Sequence, residues 1–286
     1  LRTSAAAAGA DFCWGLFLDG GVWGSGLPGN PSYFDEEFTC EFAPALVADK
    51  VGLLASGDFS DIFIEKLEAV NATSGIRLIG SGTRAQVNAH LRGCVIDQCS
   101  GTAVDIKSLA AGACVTIEGG YFQAKATATA VIHVHGTNGT VNITGGAQIL
   151  GNEAGTTIGV YGQEQQVLNI DESVSILECP RPVVVEGATN GKILCTVQND
   201  VIDGNNGAIS IQTTGKMRIA PTVRGKADAF LRGIQLVGTS NTGHTIDPTL
   251  VLASAVSGAA NKVVINPFVS AVQLTAPGYY TAAGAG

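Results

Sequence analysis

From the middle of the chain onward, short runs in which apolar and polar residues alternate return about every 26 residues. They fall at 75–79, 103–107, 131–135, 157–161, 183–186, 208–212, 233–237 and 262–266, with Leu78, Ile106, Val134, Val160, Val185, Ile211 and Leu236 as apolar anchors. Between them runs a second column with the same period, anchored on Ile64, Leu91, Ile117, Ile143, Ile170, Val197, Ile219 and Ile246. A third set of short apolar runs follows at 94–96, 121–122, 174–176, 201–202 and 250–252. Alternation with period 2 marks strands, and one fixed period held by independent columns marks a solenoid whose repeats bury their apolar faces on one another. The pattern therefore predicts an all-β chain, a right-handed parallel β-helix of about eight coils with three short strands per coil.

Residues 1–50 do not share the period. They hold both tryptophans, Trp14 and Trp23, a Gly/Pro loop, and the acidic run Asp35, Glu36 and Glu37. They read as an N-terminal entry or capping region, because the open end of a stacked core needs covering. Residues 51–266 read as the β-helix and 267–286 as a C-terminal exit segment. The chain opens at Leu1, which reads as a processed chain or a portion of a longer protein.

Composition narrows the function. The 286 residues are 45% hydrophobic and only 14% charged, so a sizeable core is expected rather than disorder. A formal net charge of -8 argues against a nucleic-acid partner, which would need clustered Lys and Arg. No apolar run is long enough for a membrane-spanning helix, so no membrane insertion is expected. The seven cysteines form no paired C-x-x-C spacing and read as buried small hydrophobes in a reducing compartment, so no metal and no cofactor is expected.

The coil runs, such as Val115-Thr116-Ile117-Glu118-Gly119-Gly120-Tyr121-Phe122 and Gly204-Asn205-Asn206-Gly207-Ala208-Ile209-Ser210-Ile211, resemble the pectate-lyase-like β-helix superfamily. Within it, the Gly/Ala/Ser/Thr-rich texture of roughly residues 51–266 looks most like bacteriophage tailspike and tail-fibre proteins. The resemblance implies a homotrimer in the virion tail, assembled in the host cytoplasm beside other tail proteins, that binds or cuts bacterial surface polysaccharide. No depolymerase motif is present, so no family active site carries over. The low-charge stretches 126–134 and 183–185 are expected to pack around the trimer axis.

Register assigns candidate chemistry. On the first column, Asp105 and His133 should be outward neighbours, and His135 should lie between Lys107 and Tyr161 with Glu186 one coil on. Asp105, His133, His135, Tyr161 and Glu186, with Tyr121 as a further aromatic, are the candidate binding residues for sugar or for acid/base work. On the second column, Glu118 and Asp171 stand two coils apart, about 9.6 Å by strand spacing, near the upper limit for an inverting glycosidase pair. They are the candidate catalytic carboxylates. The same column also reads as a charge ladder of Glu65, Arg92 and Glu118. Three functions follow: a host-adhesion protein, a polysaccharide depolymerase (a glycoside hydrolase rather than a lyase), and a cellular surface adhesin.

Overall fold

In a computed structural model, the described residues are 62–80, 88–136, 138–152, 157–164, 167–199, 203–225, 230–236 and 244–246. To these are added the strands at 2–4, 14–20, 32–34, 38–41, 51–57, 249–252, 263–265, 273–274 and 280–282. Among these residues every strand belongs to one of three parallel sheets, of eleven, ten and ten strands, and each sheet takes every third strand of the chain until the last, Tyr280–Ala282, joins the eleven-stranded sheet beside Val263–Ile265. This is the expected all-β parallel β-helix. The ladders are longer than about eight coils because parallel pairing continues on both sides of 51–266, as in Trp14–Gly20 on Val51–Gly57 and Val263–Ile265 on Tyr280–Ala282. Among the described residues no helix is long and apolar enough to cross a membrane.

The core is three stacks of like residues. The second sheet aligns Ile64, Leu91, Ile117, Ile143, Ile170, Ile193, Ile219 and Ile246 on consecutive rungs, all buried. The third aligns Ala69, Ile96, Phe122, Ile149, Ile176, Val197 and Val223. The first aligns Leu78, Ile106, Val134, Gly162, Val185, Ile211 and Leu236. Each buried aliphatic side chain removes enough surface from water to contribute roughly 1.5–3 kcal/mol. Each coil depends on its neighbours for that burial, which ties the stack together.

Two anchors differ from the sequence expectation. Gly162, not Val160, stands on the rung between Val134 and Val185, while Val160 pairs with Ile132 and Val183. Val197 belongs to the third sheet, and Ile193 fills its place in the second. The strand Asn190–Ile193 hides from pattern reading because only its last residue is buried.

Turns let the chain leave one sheet for the next. After Glu118, Gly119 and Gly120 both take positive φ, +65° and +91°, a conformation that costs any residue with a Cβ. A Cβ on Gly120 would stand 2.3 Å from the Cys94 carbonyl oxygen, so this position needs glycine twice over.

The cysteines follow the expectation where they are described. Cys94, Cys99, Cys179 and Cys195 are buried, Cys114 is half-buried, and all five are free thiols. Burial pushes the Cys94, Cys99 and Cys195 thiols up to about 12, so they are inert at neutral pH. Cys13, Trp23 and Asp35–Glu37 lie outside the described residues.

The stretches expected to form a trimer contact are only partly on the surface, with Thr127 and Thr129 exposed. Ala128, Val131, Ile132 and Val134 are buried within this one chain, as are Val183, Val184 and Val185. Phe63 and Val95 are the exposed large apolar side chains among the described residues.

Candidate functional site

The outward residues of the first sheet gather into one patch. The strand Val104–Lys107 pairs with Ala130–His135, which pairs with Ile158–Gly162, which pairs with Arg181–Gly187. Strand alternation turns Asp105, His133, His135, Tyr161 and Glu186 to the outer face, where all five are half-buried. Asp105 and His133 share a rung, as expected.

Tyr161 does not stand beside His135. It shares the rung of His133, because Gly162 rather than Val160 is the inward residue level with Val134. The rings form a column, with His135 stacked on His133 at 4.1 Å and 13°, and His133 on Tyr161 at 5.0 Å and 8°. Tyr161 also packs against a small apolar cluster of Ala130, Ile158 and Val184, outside the main core. Val184 shares its rung with Tyr161.

A chain of hydrogen bonds runs along the column. His135 Nε2 donates to Asp105 Oδ1 at 2.8 Å. His133 Nε2 donates to Gln163 Oε1 at 3.0 Å. The Gln163 amide nitrogen donates to the Tyr161 hydroxyl and, at 3.1 Å, to Glu186 Oε2. The Tyr161 hydroxyl donates to the same Glu186 oxygen at 2.8 Å. Because Asp105 and the Gln163 carbonyl can only accept, both imidazoles carry a proton on Nε2, and the neutral His133 keeps a lone pair on Nδ1.

These contacts set the protonation states. Burial raises the Asp105 carboxyl, but the hydrogen bond from His135 and the positive charges that His135, His133 and Arg77 present in the acid range where a carboxyl titrates outweigh it, so it sits below its ordinary value. Burial, aided by His135, lowers His133 and keeps it neutral at neutral pH. Burial and the Glu186 carboxylate push the Tyr161 hydroxyl up to about 12. One ligand atom from each of Asp105, His133 and His135 can be chosen so that all lie within 4.8 Å of one another.

Gln163, which ties the two halves of the patch together, is not among the sequence candidates. It lies just past the end of Ile158–Gly162, where alternation no longer signals a strand, although it stands two residues beyond Tyr161.

The remaining candidates stand elsewhere. Tyr121 is on the third sheet and donates to Gln123 Oε1 at 3.1 Å, where Gln98 also donates. Glu118 is on the second sheet, with Thr144 on the next rung. Its Oε2 meets His90 Nε2 at 2.7 Å, and its Oε1 lies 3.8 Å from Arg92 Nε. Arg92 also bonds Glu65 at 3.2 Å, so the charge ladder read from the sequence is formed. Asp171 lies just past the next strand, Val167–Ile170, and its Oδ1 accepts the Ser173 amide at 3.1 Å. His90, the partner of Glu118, was legible as an outward residue 28 positions before it in the same column.

No family model matches this chain, and comparison with curated proteins and with solved structures gives no match.

Proposed function

We propose that this chain is a host-adhesion element of the tailspike or tail-fibre kind, a homotrimer whose rigid β-helix presents the outer face of its first sheet to bacterial surface polysaccharide. The observation that supports it is the preformed row of hydrogen-bonding groups from Asp105 to Glu186. The rings stack on one another and Tyr161 packs against the Ala130, Ile158 and Val184 cluster, so the patch offers polar ring edges beside its carboxylates. Carboxylate, amide and phenol groups arrayed in fixed positions complement the hydroxyls of a sugar, and their prior ordering spares the entropy of fixing them on binding. Two carboxylates on the patch and a net charge of -8 favour a neutral or amino-bearing glycan over a polyanion. Adhesion is preferred to hydrolysis because Glu118 is already committed to His90 and Arg92, and Asp171 to a backbone amide.

The test is to incubate the protein with a panel of purified capsular and O-antigen polysaccharides. Retention, released reducing ends and absorbance at about 235 nm from unsaturated products are read together. Light scattering on the same sample establishes the oligomer. The reading expects retention of a neutral polysaccharide by a trimer, no product, and loss of retention in Gln163→Ala. Reducing ends that disappear in Glu118→Gln or Asp171→Asn would replace adhesion by glycoside hydrolysis. A monomeric mass at all concentrations, or no retention across the panel, would overturn the proposal.

A further inference from the structure

The Asp105, His133 and His135 cluster has a donor set that hydrogen bonding to sugars does not require. Two imidazoles and one carboxylate converge from adjacent strands, and their ligand atoms lie within 4.8 Å of one another. We infer that they form a binding site for a divalent transition-metal ion of the zinc type, with three protein ligands and one open position.

The ligand atoms are near one another, but the stacked rings, 13° from parallel, must tilt to take an ion, because a metal bonds in the plane of each imidazole. Metal bonds of about 2.0–2.2 Å at tetrahedral angles put neighbouring ligand atoms about 3.4 Å apart. His135 Nε2 and Asp105 Oδ1, now 2.8 Å apart across a shared proton, must open slightly, and the third ligand must close in. These movements and the tilt of the rings are side-chain rotations of half-buried groups and leave the strands in register. The ion takes the place of the proton between His135 and Asp105. That proton leaves His135 Nε2, for Nδ1 of the same ring or for solvent, so the nitrogen meets the ion with its lone pair free.

The surroundings suit a metal as well. His133 is held by Gln163 through one nitrogen while the other keeps its lone pair, the arrangement by which a neighbouring acceptor orients a ligating imidazole. Gln163 is in turn fixed by Glu186. Imidazole nitrogen selects zinc, copper or nickel over calcium or magnesium, which prefer all-oxygen sites. Side-chain exposures of 25% for His135 and 22% for Asp105 leave an entry path while limiting competition from water. His133 and His135 stand two apart on one strand face, so the backbone itself sets their spacing.

The test is independent of any glycan. Tag-free protein, stripped with chelator and dialysed, is titrated with Zn²⁺ by calorimetry and with Co²⁺ by visible absorption. The wild type is expected to take a single ion per chain and to show the intense ligand-field bands of four-coordinate Co²⁺. Asp105→Asn, His133→Gln and His135→Gln should each weaken binding at least about tenfold, whereas His90→Gln on the second sheet should bind like the wild type. Zn²⁺ should also raise the melting temperature of the wild type and not of His135→Gln. Should a variant fail to fold by circular dichroism, the wild-type cobalt spectrum decides. The weak bands of a six-coordinate aquo-like ion, no binding at all, or unchanged binding in a folded His135→Gln would each overturn the inference.

Discussion

Tyr161 stacks on His133 with ring centroids 5.0 Å apart and planes 8° from parallel, and its hydroxyl donates to Glu186 Oε2 at 2.8 Å. The tyrosine thus joins the imidazole end of the patch to its carboxylate end. Tyr161→Phe should keep the stack and lose only the hydrogen bond, a cost on the order of 1 kcal/mol for a pair that water reaches. Tyr161→Ala should cost more, since the packing on Ala130, Ile158 and Val184 goes too. The phenol itself provides a second readout. Its folded value of about 12 lies above the ordinary 10.0, so the neutral form is favoured by folding. The stability it contributes is present below pH 10 and is lost as pH rises toward 12. Phenolate absorbance, taken as the difference between wild type and Tyr161→Phe, should titrate at about 12 and move down in Glu186→Gln. A Tyr161 that ionises at the ordinary value in wild type would show that neither its burial nor the Glu186 contact holds, and a value unmoved in Glu186→Gln would reject the contact alone.

How much of this patch was legible beforehand depended on where side chains carry a signal. The period and the parity of the strands place Asp105 beside His133 and put His135, Tyr161 and Glu186 on one face, because each follows from alternation alone. The rung of Tyr161 was misread since the inward residue level with Val134 is Gly162, and a glycine in a core column has no apolar side chain to mark it. Ile193 was missed for the complementary reason. Its strand shows one buried residue in four, so Val197, four residues later and more conspicuously flanked, took its place in the column. Gln163 acts from beyond a strand end, where nothing periodic constrains a side chain. Fold is written in repetition and can be read from it; the site is written in departures from repetition.

Among the described residues Phe122 is the largest fully buried side chain, on the third-sheet rung between Ile96 and Ile149. Its removal leaves a cavity that neighbouring coils cannot fill without breaking their own register. Phe122→Ala should therefore cost about 3–5 kcal/mol, and Phe122→Leu much less. Thermal unfolding followed by far-ultraviolet circular dichroism would measure both. Equal, small losses in the two variants would mean the stack relaxes far more freely than its ladders suggest.

Two turn glycines one coil apart separate backbone strain from steric conflict. Gly120 and Gly146 both have positive φ, +91° and +78°. A Cβ on Gly146 meets nothing within 4 Å, whereas on Gly120 it would run into Cys94 backbone. Gly146→Ala should cost about 1–2 kcal/mol, the conformational penalty alone. Gly120→Ala should cost distinctly more, because the chain must also move the coil beneath it. Melting temperatures that fall by the same amount in both would reject the close approach at Gly120.

His244 should make the coil that carries it sensitive to acid. The side chain is buried, and its Nδ1 accepts the Met217 amide at 3.2 Å, so the ring is neutral and bears its proton on Nε2. Burial lowers its folded value below the ordinary 6.5. A base depressed in this way stabilises the fold fully above about pH 6.5, and that contribution is lost as pH falls toward the folded value. Protonation also destroys the acceptor that Met217 uses. The loss can approach, but not exceed, about 1.4 kcal/mol per pH unit for one proton. Asp105 works in a separate window, since its value lies below 3.8 and its stabilisation is lost only as pH falls through that lower range. His244→Asn retains an oxygen acceptor for Met217 and does not titrate. Its melting temperature should change less than that of the wild type between pH 7 and 5 and run parallel to it at higher pH. Identical slopes between pH 7 and 5 would show that His244 takes up its proton without leaving the core, and that the acid sensitivity of the chain lies elsewhere.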